Sequence, residues 1–176
     1  MIYIIDQTKF VSTKKIDKMN TLNQIGLNRN KSNELADLLN NLLANYQLYY
    51  QNLRAFHWNV KGKDFFELHI KFEELYTDSQ EKIDLIAERI RTLGFNPYHR
   101  FSDYLTHTTI MEAENTDKGQ ENVSNSLSSI RTLLIQERKA LELASELNDE
   151  GSVSMLSDFI TEQEKTVWML SAYLNQ

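Results

Sequence analysis

Residues that break helices are nearly absent from this chain: one proline and five glycines stand among 176 residues. A backbone so rarely interrupted favours long helices over many short strands, because proline removes a helical hydrogen bond and glycine lowers helix propensity. The apolar spacing predicts four of them. The first runs over about 32–59, with Asn30 or Ser32 as N-cap. Leu35, Leu38, Leu39, Leu42, Tyr46, Tyr49 and Leu53 fall there at the three-and-four spacing of one buried face. A turn at Val60–Asp64, holding Gly62 and the cap Asp64, precedes a second helix over about 65–93, which Gly94 and Pro97 end. The third covers about 120–147 (Val123, Leu127, Ile130, Leu134, Leu141) and the fourth about 152–174 (Leu156, Ile160, Val167, Leu170, Leu174), with a polar turn at Asn148–Gly151 between them. The links inside each pair are about five residues or fewer, so each pair is an antiparallel hairpin. The middle link is about 25 residues, with a short helix near 101–105, and is long enough to run the length of the molecule. The expectation is an all-α four-helix bundle of two hairpins joined by one long crossover. Residues 31–176 form its domain and residues 1–30 a tail with at most a short ordered piece.

Charge and composition narrow the partners. No cysteine is present, which excludes disulfides, thiol nucleophiles and zinc fingers and suits a cytoplasmic protein. No apolar run approaches the ~20 residues of a membrane span. The start, MIYIIDQTKF, lacks the basic region and cleavage site of a signal peptide. Net charge is −6, but residues 1–31 carry +4 (Lys9, Lys14, Lys15, Lys18, Arg29 and Lys31 against Asp6 and Asp17), leaving −10 on the rest. An acidic body repels phosphate, so DNA binding is expected to be weak or absent, with the basic arm the one place for it.

The chemistry concentrates in HWNVKGKDFFELHIKFEELYTDSQEKIDLIAE, residues 57–88. His57, His69, Glu73, Asp84 and Glu88 offer imidazole and carboxylate donors, a set suited to iron or zinc. With His69 at zero and ~100° per residue, Glu73, Asp84 and Glu88 fall near ~40°, ~60° and ~100°, beside the apolar stripe at ~240–340° rather than within it. His69 and Asp84 are fifteen residues apart, or ~22 Å at ~1.5 Å per residue, so they cannot share a metal within one straight helix. An antiparallel two-fold mate resolves this, bringing the histidines of one chain to the acids of the other and giving two equivalent sites. His57 lies across a short turn from His69 and can join it. No histidine has a glutamate three residues before it (Arg54, Phe66, Asn96 and Tyr104 stand there), which disfavours a di-iron site inside one bundle.

The segments LLANYQLYYQNLRAFHWNVKG, DFFELHIKFEELY and IDLIAERI, and the His-x11-His spacing followed by those acids, resemble the Dps family of ferritin-like mini-ferritins over residues 20–176. The resemblance implies a ferritin-like bundle assembled into a hollow twelve-subunit shell. It implies ferroxidase sites at two-fold interfaces, with His57 and His69 from one subunit and Asp84 and Glu88 from its mate. The substrate would be Fe(II), oxidised to Fe(III) with hydrogen peroxide as oxidant and stored as mineral, in protection against oxidative stress. Glu73 stands where the family often has aspartate. Trp58 matches an aromatic residue beside the site, with interface packing as its other reading. Acids near the last turn, Asp149, Glu150 and Asp158, are candidates for an entry pore, although Ser154 departs from the acidic pattern. The competing expectation is a structural DNA-compacting protein with weak iron chemistry.

Overall fold

In the computed structural model, which describes residues 21–175, the chain is helical almost throughout. α1 spans Arg29–Asn59, α2 Phe65–Thr92, α3 Phe101–His107, α4 Gly119–Glu146 and α5 Glu150–Tyr173. Among the described residues the β pairing is confined to isolated bridges, Leu22 with Asn28 and Lys61 with Lys118. α1 packs on α2, α4 on α5, and α1 across α4 and the short α3. This is the expected all-α bundle of two hairpins with a long crossover. Lys9, Lys14, Lys15 and Lys18 of the basic arm lie outside the described residues.

The core follows the periodicity. Leu35, Leu39, Leu42, Tyr46 and Leu53 of α1 are buried and meet Phe72, Ile86 and Ile90 of α2, Val123, Ile130 and Leu133 of α4, and Leu156 of α5. Each such aliphatic side chain contributes roughly 1.5–3 kcal/mol relative to exposure. Leu38, Leu127, Leu141, Ile160, Val167 and Leu174 are only half-buried at its margin.

Two boundaries differ from expectation. α1 begins three residues early because Asn28, not Asn30 or Ser32, is its N-cap, accepting from the Lys31 N–H at 3.1 Å. Ser32 is buried inside the first turn and donates to the Asn28 carbonyl at 2.8 Å. Asn23 secures the approach: its Oδ1 accepts from Leu27 N–H (2.9 Å) and its amide donates to Leu93 O (3.2 Å) at the end of α2. The last turn is shorter than Asn148–Gly151, since α5 already starts at Glu150. Asp149 caps it, accepting from Ser152 N–H (3.2 Å) and the Ser152 hydroxyl (2.5 Å). Gly151 thus sits in the helix, pressed on Arg89; a Cβ there would come 2.8 Å from Arg89 Nη1. Gly94, at φ +97°, ends α2 in the left-handed region as expected.

The crossover is held by three buried asparagines of α1. Asn40 accepts from Tyr98 N–H (2.7 Å) and donates to Asn96 O (3.2 Å). Asn45 Oδ1 accepts from the N–H groups of Thr109 (2.9 Å) and Ile110 (3.0 Å), and Asn52 accepts from Ala113 N–H (3.0 Å) while donating to Met111 O (2.8 Å). Backbone groups with no helical partner are satisfied in this way without a second layer of structure.

Candidate metal centre

The local fold brings the two histidines together. His57 lies in the last turn of α1 and His69 in the second turn of α2, and the tight turn through Val60–Asp64 returns the chain on itself. Their rings stack with centroids 3.8 Å apart and 19° between planes. Each Nδ1 meets the other residue's backbone carbonyl: His57 Nδ1 to His69 O at 2.7 Å, His69 Nδ1 to His57 O at 2.8 Å. A carbonyl oxygen only accepts, so each Nδ1 carries the proton and donates. In the neutral ring that leaves Nε2 with a free lone pair, the metal-ligating tautomer. The clasp also fixes the ring orientations before any ligand arrives.

Glu73, one turn beyond His69, is exposed, and Tyr76 donates to its Oε1 at 3.4 Å. Tyr76 stands edge-on to His57 (5.4 Å) and to Tyr50 (6.1 Å). Desolvation first, and then the Glu73 charge, push the Tyr76 phenol above its ordinary pKa. Asp84 and Glu88 are exposed on the same helix but lie toward its far end. Among the described residues no three His, Asp or Glu side chains of one chain gather closely enough to hold a metal. The histidine pair is assembled, and the acids Asp84 and Glu88 are not brought to it within one chain.

What surrounds these residues is unusual for a solvated face. Phe66 (74% exposed) and Ile70 (56%) project from α2, and Trp58 (58%) from α1 next to His57. Phe66 and Ile70 fall ~60° and ~100° round α2 from His69, on the side of the carboxylates. Exposed apolar side chains clustered with potential ligands mark a surface that another molecule covers.

Two neighbours escaped the sequence reading. Tyr76 falls ~340° round α2 from His69, at the edge of the apolar stripe where it borders the ligand face. Arg54 lies with its guanidinium 4.6 Å from the Trp58 ring and 5.3 Å from that of Tyr50; its four-residue spacing on both sides from aromatic rings was the available signal. One candidate is corrected. Asp149, expected at an exposed polar turn, is buried, ion-paired with Arg89 and serves the α5 cap. Burial alone would raise its carboxyl pKa; the Arg89 and Ser152 hydrogen bonds outweigh that and hold it below the usual range. Glu150, Ser154 and Asp158 remain exposed, one turn apart along α5.

The ferritin-like domain family matches residues 36–176. A protein of Porphyromonas gingivalis named DNA protection during starvation protein is 42% identical over 135 residues, 77% of this chain and 85% of that one. DNA protection during starvation protein 2 of Bacillus anthracis is 38% identical, over 81% of this chain and 98% of its own. Among solved structures, the Dps protein of Vibrio cholerae O1, described as a member of a broad superfamily of ferritin-like diiron-carboxylate proteins, is 52% identical with a TM-score of 0.86, covering 88% of this chain and 97% of that one.

Proposed function

Since the chain belongs to the ferritin-like domain family, and within it to the Dps proteins, we propose that it oxidises Fe(II), with hydrogen peroxide as oxidant, at sites shared between two copies and stores the ferric product inside a twelve-subunit shell. The observation that supports this is the His57–His69 clasp, in which each Nδ1 donates to the other residue's carbonyl and Nε2 is left to ligate, on a face rimmed by exposed Phe66, Ile70 and Trp58. A mate laid antiparallel on this face adds its own Asp84 and Glu88 and covers the apolar rim. The same symmetry makes the second, equivalent site.

The residues have distinct tasks. His57 and His69 bind Fe(II) through nitrogen and orient it, held by their carbonyl partners. Glu73, Asp84 and Glu88 supply negative oxygens, which stabilise Fe(III) more than Fe(II) and so favour oxidation. So small a donor set leaves coordination positions for the oxidant. A second exposed apolar group, Ile135, Trp168 and Met169, lies on α4 and α5. A subunit with two different sticky faces builds a closed shell more readily than a simple dimer. The lysines at 9, 14, 15 and 18 are the place for any DNA contact.

The test is anaerobic loading with Fe(II) followed by peroxide, comparing wild type with His57→Ala/His69→Ala. The variant is expected to lose the fast phase of Fe(III) formation. Equal rates in both would refute the site.

A further inference from the structure

A groove of about 440 Å³ lies between the start of α1 and the end of α4. Leu38 and Leu143, both half-buried, form its floor, and the exposed acids Glu34, Asp37, Glu142 and Glu146 rim it. Lys31 pairs with Glu146 at 3.0 Å, and Asn33 donates to Asp37 at 3.3 Å. The carboxylates of Glu34 and Glu142 have no hydrogen-bond or ion-pair partner among the described residues. With Lys31 and Lys139 set against the four acids, the groove carries −2. Thr21 stands beside it: its carbonyl accepts from Arg29 N–H at 2.8 Å, and Leu22 pairs antiparallel with Asn28. In an antiparallel pair, stepping back from Leu22 to Thr21 follows the step forward from Asn28 to Arg29, so the chain at Thr21 points along α1 toward Glu34. Glu34 lies five residues past Arg29 and Leu38 nine, or roughly 8 and 13 Å of helix rise.

We propose that residues 9–18, KFVSTKKIDK, dock in this groove of their own subunit and so withhold their lysines from DNA. The inference is independent of the iron site. Lys9, Lys14, Lys15 and Lys18 against Asp6 and Asp17 give residues 1–20 a charge of +2, opposite to that of the groove. The residue order fits as well. Phe10, Val11 and Ile16 stand between lysines, offering apolar groups to the Leu38–Leu143 floor and ammonium groups to the acidic rim. Ile16 is five residues before Thr21 and Val11 ten, spans of up to ~17 and ~35 Å in extended chain, so both reach the groove. So short a tether keeps the lysines at high effective concentration over the rim. Ion pairs that are individually weak at an exposed surface then suffice together. DNA phosphates compete for the same lysines, but must approach an acidic body to do so. Neutralising the rim therefore releases the arm.

The experiment reads arm accessibility on the assembled, full-length protein. Trypsin cuts after Lys14, Lys15 and Lys18 are timed by mass spectrometry in wild type and in Glu34→Gln/Asp37→Asn/Glu142→Gln. Salt is set at about 0.01 M and about 1 M, where the Debye length is ~30 and ~3 Å. At low salt the variant is expected to be cut at least ~5-fold faster than wild type, and at high salt the two should converge. A carbodiimide, which joins an amine to a carboxylate in contact, should tie Lys14, Lys15 or Lys18 to Glu34, Asp37 or Glu142. Mixing isotopically labelled and unlabelled subunits shows whether both ends belong to one chain. Equal cutting rates at low salt overturn the proposal, as do cross-links made only to other acids or to another copy. DNA retention at low salt should tighten in the variant only while residues 1–20 are present. An equal gain in the chain lacking them assigns the effect to relief of body-wide repulsion and sinks the masking of the lysines.

Discussion

Glu137 offers a sharp test of how the bundle interior handles charge. Its side chain is fully buried at the centre of the four helices. Oε1 accepts from the Tyr46 hydroxyl (2.6 Å) and from Gln163 Nε2 (2.5 Å). Oε2 has no partner, and neither do the buried Gln163 Oε1 and Tyr49 hydroxyl. Desolvation pushes the Glu137 pKa up; the hydrogen bonds from Tyr46 and Gln163 and the charges of Lys82 and Arg138 oppose it without cancelling it. The sign follows. The unfolded chain releases this proton at the ordinary glutamate pKa while the folded chain retains it, so stability is full below that pKa and declines as pH rises toward the folded value. For one proton the slope approaches about 1.4 kcal/mol per pH unit over that interval. Glu137→Gln keeps the Oε1 acceptor, cannot ionise, and puts N–H donors where Oε2 has no partner. Urea unfolding of the two assembled proteins at pH 5, 6, 7 and 8, followed by circular dichroism, should show the variant gaining on wild type as pH rises. A stability difference that stays constant from pH 5 to 8 would refute a raised Glu137 pKa.

Phe66→Asp with Ile70→Asp should abolish assembly in sedimentation and slow Fe(II) oxidation, because the charges fall on the face that the mate covers; an intact shell would count against that face. Asn45→Ala leaves the Thr109 N–H without its acceptor and should cost about 2 kcal/mol. That loss should appear as faster amide exchange at Thr109 and Ile110, with the helices unaffected. Removing residues 1–20 should eliminate any low-salt DNA retention while leaving iron oxidation at the wild-type rate. Oxidation lost together with DNA retention would contradict the separation of arm and site.

Much of this was legible in the residue order, and the misses share a cause. The positions of α1, α2, α4 and α5 followed from apolar spacing because each helix must bury one stripe. Gly94 marked its terminus because few other residues adopt φ +97° there. Asp149 misled: an acid in a polar turn reads as exposed, and only the arrival of Arg89 from α2, sixty residues earlier, shows it buried and paired. The asparagines at 40, 45 and 52 were equally silent, since a polar residue beside an apolar stripe does not announce that it will clamp a crossover.

The chain order alone settled that the fold is helical, where its hairpins turn, and that His69 and Asp84 stand too far apart along one helix to share a metal. These are consequences of rise and angle per residue, which are the same in every helix. Only the tertiary structure decided that His57 and His69 clasp each other's backbones with Nε2 left free, that Arg54 is locked between Tyr50 and Trp58, and that Glu137 is sealed inside the bundle. Those outcomes depend on which side chains of different helices meet, and that is set by packing between elements rather than by periodicity within one.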